Sequence, residues 1–155
     1  MSRAFVREQD TGATEGMLPD RPVSEHPNDV TETGMAKIEA ALSEARAAHA
    51  AAQASSDPSA IAAAAREVRY WSVRQATARV VPASADTSQV RFGATVTIVR
   101  DDGRKQTFRI VGEDEADPAN GSISHVSPLA RAMLGKRVGD VVRAGSGEAE
   151  ITAIE

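Results

Sequence analysis

Few side chains in this 155-residue chain have the type and spacing that chemistry requires. Glu113-Asp114-Glu115 is a dense acid run, but three carboxylates directly after Gly112 read as an exposed turn rather than a cation site. His26, His49 and His125 lie on unrelated segments without metal-ligand spacing, so no metal site is expected. Arg66, Arg69, Arg74 and Arg79 could steer a hairpin into an acidic channel, although a charged helix face is more often just solvated. Asp57 stands as the one acid in Gln53-Ala54-Ser55-Ser56-Asp57-Pro58-Ser59. No nucleophile with a neighbouring base, no phosphate-cradling glycine motif and no pair of catalytic acids can be named. The chain therefore reads as a non-enzyme that needs no cofactor.

Composition narrows the partners. The net charge of −4 and pI near 5.4 have the wrong sign for a protein whose main partner is a phosphate backbone. Counted by segment, residues 1–29 carry three Arg against six acids, residues 30–81 six bases against five acids, and residues 82–155 nine against eleven, so none is a polycation. Aromatic residues make up 3%, too few for a base-stacking platform. The absence of cysteine removes disulfides and thiolate metal sites and fits a reducing compartment. No signal-peptide pattern and no run near the roughly 20 apolar residues of a membrane span is present, so a cytoplasmic location is expected.

These side chains need elements to position them, and the chain divides into three stretches. Residues 1–29 are polar, acidic and interrupted by Pro19, Pro22 and Pro27, which predicts an extended or mobile arm with Phe5, Val6, Met17, Leu18 and Val23 as apolar handles. Residues 30–81 predict a helical hairpin. Thr31 caps a first helix whose seam is Met35, Ile38, Leu42, Ala45, His49 and Ala52. Asp57 followed by Pro58 is an N-cap with proline at the first helical position, and it opens a second helix running to about Arg79 before Pro82. Its seam, Ile61, Ala64, Val68, Trp71, Gln75 and Ala78, pairs with the first when the chain reverses near Ser56. Large side chains collect at the base of the hairpin, with Tyr70 and Trp71 packing there, and small ones near its tip.

Residues 82–155 change from alanine-rich helix to alternation and turns. Strands at residues 95–99 and 106–111 flank Asp101-Asp102-Gly103, a hairpin turn in which Gly103 supplies a positive φ. A third strand at 122–126 leads to Ser127-Pro128, which opens a short helix through Leu134 with Gly135 as its C-cap. Strands at 138–142 and 149–154 complete a small antiparallel sheet. The fold class is thus α+β.

The order and spacing of several pieces in this last stretch resemble the carboxyl-terminal domain of the bacterial transcription elongation factors GreA and GreB. These pieces are Phe92-Gly93, Asp101-Asp102-Gly103, Phe108-Arg109-Ile110-Val111-Gly112, Asp114-Glu115, Ile123-Ser124, Ser127-Pro128, Ala130-Arg131-Ala132, Leu134, Lys136, Gly139-Asp140 and Ala153-Ile154. The hairpin is similar to the family's coiled coil through Val30-Thr31, Gly34 and Val68-Arg69-Tyr70.

The resemblance implies an FKBP-like domain that docks on the rim of the RNA polymerase secondary channel while the coiled coil reaches inward. It places the polymerase contact at Val126, Ser127, Pro128 and Arg131, where the family usually carries an acid or Asn in place of Val126. In GreA and GreB a pair of tip acids helps hold the polymerase's magnesium and stimulates transcript cleavage. Here the tip, Ser56 and Asp57, offers one carboxylate that is also needed as a helix cap, on arms shorter than the family's. Short-hairpin relatives such as the regulator of nucleoside diphosphate kinase share this departure.

A monomeric polymerase-binding regulator that obstructs the channel without efficient cleavage stimulation is therefore expected. The rivals are a true cleavage factor using Asp57 and an interaction module for another partner. Prolyl isomerase activity is a poor reading, because that site needs an aromatic-lined pocket and this domain has only Phe92 and Phe108 as Phe, Tyr or Trp residues.

Overall fold

A computed structural model describes residues 18–155; Phe5, Val6 and Met17 lie outside them. The elements in chain order are β1 (Asp29–Val30), α1 (Glu32–Ser55), α2 (Pro58–Thr77), β2 (Arg79–Val80), β3 (Thr95–Arg100), β4 (Lys105–Val111), β5 (Ser122–Ser124), α3 (Pro128–Met133), β6 (Val141–Ala144) and β7 (Gly147–Ile154). They form a helical hairpin followed by a sheet with one short helix, which is the expected α+β class.

Local chemistry explains both ends of the hairpin. Thr31 Oγ1 accepts from the Gly34 amide at 2.9 Å and starts α1. At the far end Ser56 takes left-handed dihedrals, φ 54° and ψ 30°, and its N–H donates to the Gln53 carbonyl. Asp57 then caps α2, with Pro58 at the first position. At about 1.5 Å per residue the 24 residues of α1 reach about 36 Å and the 20 of α2 about 30 Å.

Ile38, Leu42, Ala45 and Ala52 of the expected α1 seam are buried, whereas Met35 and His49 are half-buried. On α2 only Ala64 of the expected seam is fully buried, and Ile61, Val68, Trp71, Gln75 and Ala78 are half-buried. The alanines fill the space between the helices incompletely. A groove of about 340 Å³ remains, lined by Ala41, Glu44, Ala45, Ala48, Ala64, Glu67 and Trp71. Helix α2 also stops at Thr77, two residues earlier than expected. There the backbone turns extended and Arg79 donates its N–H to the Asn28 carbonyl.

That bond belongs to a pairing not foreseen from sequence. Strand β1 lies parallel to β2, with Asp29 beside Arg79 and Val30 beside Val80. Residues 18–28 run along α2 in the direction of that helix. Leu18 and Asp20 meet Arg69, Arg21 meets Glu67 and Tyr70, and Asn28 meets Arg74 and Thr77. The chain reverses at Thr31 into α1.

The sheet has the order β5-β4-β3-β7-β6. It is mixed rather than wholly antiparallel, because β5 joins β4 in parallel after the loop at residues 112–121. Strand β5 ends at Ser124, two residues before expectation, since Ser127 N–H turns back to the Ser124 carbonyl. Strand β6 begins at Val141 rather than Val138. Gly139, at φ 95°, and Asp140, whose carboxylate accepts from the Arg137 amide, make a turn of the preceding residues. The β3–β4 turn is as expected, with Gly103 at φ 85°. Val96, Ile98, Ile110 and Ile151, all fully buried, form the core with Ala130 and Met133 of α3. Alternation along β3 and β7 places Val96, Ile98 and Ile151 on the face covered by α3.

Candidate functional site

The four residues expected at the contact loop lie together at the start of α3. Ser127 Oγ accepts from the Ala130 amide at 3.3 Å, which makes it the N-cap. Pro128 occupies the first helical position and is exposed, while Val126 and Ser127 are half-buried. Arg131 is exposed one turn on, and its guanidinium lies 3.3 Å from His26 Nε2. The core contacts of Ala130 and Met133 anchor the helix from below, so the loop presents its outer side on a fixed support.

Two of the histidines that appear unrelated in sequence come together here. His125 packs edge-on against Phe92, with ring centroids 5.4 Å apart. Its Nε2 is buried without a hydrogen-bond partner. Burial pushes the His125 imidazole below its usual range, with His26 and Arg131 adding to the effect and Asp29 and Glu113 opposing it. The neutral ring is thus favoured beside the Arg131 cation. Among the described residues, no group of three or more His, Cys, Asp or Glu could hold a metal ion.

At the turn of the hairpin Ser56 and Asp57 are exposed. Asp57 Oδ1 accepts from the Ser59 amide at 3.0 Å and from the Ala60 amide at 3.4 Å. One carboxylate oxygen is therefore engaged by the two orphan N–H groups that begin α2.

The acid run after Gly112 is not an exposed turn. Glu115 is 7% exposed, and its carboxylate oxygens stand 2.7 and 2.8 Å from the Thr31 hydroxyl that caps α1. Asp114 accepts from Tyr70 Oη at 2.5 Å and from Arg74 Nε at 2.6 Å. Arg74 also donates to Asn28 Oδ1 at 2.7 Å, and its Nη2 lies 3.7 Å from Glu113. Burial first, then the Asp114 hydrogen bond and charge, push the Tyr70 phenol up to about 12.

Arg74 is 1% exposed, so this arginine does not belong to a solvated basic face. Arg69 and Arg79 remain at the surface, paired with Asp20 and Asp29. The spacing of Tyr70 and Arg74, four apart on one face, and the glycine before three acids were the signals for this junction. Neither specifies the partner without the fold.

With this geometry in place, the comparisons with known proteins bear on the sheet domain. Residues 85–155 match the family described as transcription elongation factor GreA/GreB, carboxyl-terminal.

That domain belongs to the GreA/GreB family.

The chain is 46% identical over 96 residues to the transcription elongation factor GreB of Neisseria meningitidis serogroup B, covering 58% of this chain and 59% of that protein. It is 55% identical over 67 residues to the GreA of Hyphomonas neptunium, covering 43% and 38%. The matched stretch thus spans less than two thirds of these relatives. Among solved structures it is similar to GreA factor homolog 1 of Thermus thermophilus, at 22% identity and a TM-score of 0.41, covering 84% of this chain and 99% of that one. A GreA/GreB factor from Nitrosomonas europaea is similar at 18% identity and a TM-score of 0.40, covering 84% and 98%. The relatives are bacterial transcription elongation factors, and residues 85–155 of this chain share their carboxyl-terminal domain.

Proposed function

We propose that this protein binds RNA polymerase at the rim of the secondary channel and regulates elongation by obstruction. Contact runs through Val126, Ser127, Pro128 and Arg131, and the hairpin narrows the channel. The observation that carries the reading is the family match of residues 85–155 on a chain that also carries a hairpin. Its action needs no chemistry of its own and takes place in the cytoplasm, with one copy per polymerase.

The hairpin tip argues against efficient stimulation of transcript cleavage. Magnesium demands near-ideal octahedral geometry and is shared among several oxygen ligands. The tip offers Asp57, and Asp57 is occupied in capping α2. A carboxylate that left the cap to reach a metal would cost about 0.5–2 kcal/mol of helix stability.

Core polymerase pull-down and RNA shortening on stalled complexes together test the proposal. Polymerase should be retained by the wild type and weakened by Ser127→Glu, with no transcript shortening. Polymerase-dependent shortening abolished by Asp57→Ala would instead establish a cleavage factor. Failure to retain polymerase would point to a different partner.

A further inference from the structure

A hairpin can act at a distance only if its angle to the docking domain is fixed, and two small units joined by a modest polar contact ordinarily move relative to each other. The junction of this protein is built differently. Arg74 is among its largest fully buried side chains, and its hydrogen bonds tie α2 to two other chain segments. Its Nε meets Asp114 of the sheet domain at 2.6 Å, its Nη2 meets Asn28 of the segment before β1 at 2.7 Å, and its own carbonyl accepts from Asn28 Nδ2 at 2.8 Å. Tyr70, one turn earlier, holds the second oxygen of the same Asp114 carboxylate. A planar guanidinium fork fixes direction as well as distance, unlike a lysine ammonium.

Pivoting the hairpin would pull this buried cation from its carboxylate and leave both charges uncompensated away from water. A second tie, Thr31 to Glu115, blocks rotation about the first. Gly112 lets the two parts close this far, since a Cβ there would fall 2.6 Å from the Asp29 carbonyl oxygen.

We propose that Arg74 is a positioning residue that locks the hairpin at one angle to the sheet domain, so that docking of the domain alone fixes where the tip goes. The inference rests on the proposed function for its consequence, but its physical content belongs to the free protein. The chain has no cysteine, so Ala54→Cys near the tip and Ser146→Cys in the β6–β7 turn can carry spin labels without background. Distances between the labels are then measured by pulsed electron resonance in the full chain.

The parent should give one narrow distribution. Arg74→Met and Asp114→Asn should widen it about twofold or split it, with circular dichroism unchanged. Should Arg74→Met fail to fold, the isosteric Asp114→Asn decides the matter. With polymerase, both variants should bind within about threefold of wild type yet lose about tenfold in channel obstruction. A broad distribution in the parent, or an equally narrow one in Asp114→Asn, overturns the proposal. A parent that ignores polymerase while its distances behave as stated would sink the functional reading and leave the lock standing.

Discussion

Thr31 joins two interactions in one hydroxyl, which makes Thr31→Val a sharp test of how the hairpin is held. Valine keeps the shape and removes the oxygen that accepts from Gly34 and the proton donated to Glu115. Loss of the cap costs about 1 kcal/mol. Leaving a buried carboxylate without its donor adds about 1–3 kcal/mol. The total is about 2–4 kcal/mol, or a fall in Tm of about 5–15 °C for a chain of this size.

Trp71, the only tryptophan, sits in the hairpin and reports unfolding by fluorescence in urea. Thr31→Ser should lie close to wild type. In a Glu115→Ala background Thr31→Val should cost only the cap, about 1 kcal/mol, so the cycle isolates a coupling of about 1–3 kcal/mol. Equal costs in the two backgrounds would refute the link between Thr31 and Glu115 and, with it, this account of the joint.

Gly112→Ala forces β1 away from the loop after β4, because the new Cβ would meet the Asp29 carbonyl oxygen at 2.6 Å; a loss of about 1–3 kcal/mol in urea denaturation is expected. Tyr70 is the one tyrosine, so tyrosinate absorbance reports it directly, with a midpoint near 12 rather than 10.0. Because its folded value is raised, its stabilisation is complete below the unfolded value near 10.0 and is lost as pH rises through about 12. Asp114→Asn should bring the midpoint only part of the way down, since burial is the larger cause. Asp57→Ala should accelerate hydrogen exchange at the Ser59 and Ala60 amides, and unchanged protection there would remove the cap from the argument against metal reach.

Local rules made much of this fold legible. Thr31, Asp57-Pro58, Asp102-Gly103 and Ser127-Pro128 each specify a backbone state through their own side chains, and each does so in the structure. Residues that depend on distant partners were not legible. Glu113-Asp114-Glu115 and Arg74 have the composition of a solvated surface, yet Arg74 and Asp114 neutralise each other across about 40 positions of chain and Glu115 is buried against the Thr31 hydroxyl. The same limit applies to β1 and β2, two residues each, whose pairing needs the hairpin already folded. At the start of α3, the adjacency of Val126, Ser127, Pro128 and Arg131 follows from the helix signal, whereas His26, which reaches Arg131 from the segment preceding β1, carries no local signal.

The parallel pair β1–β2 closes the hairpin at the end opposite its turn, with main-chain bonds from Arg79 to Asn28 and from Val81 to Val30. A helical finger stapled at its root can change length only at its free end. Equal insertions into both arms beside Ser56 would extend the reach and leave the clasp, the guanidinium lock and the sheet domain untouched. An insertion in one arm alone would slide one seam past the other while the root stays fixed. Hairpin length and root geometry are thus separable quantities in this architecture.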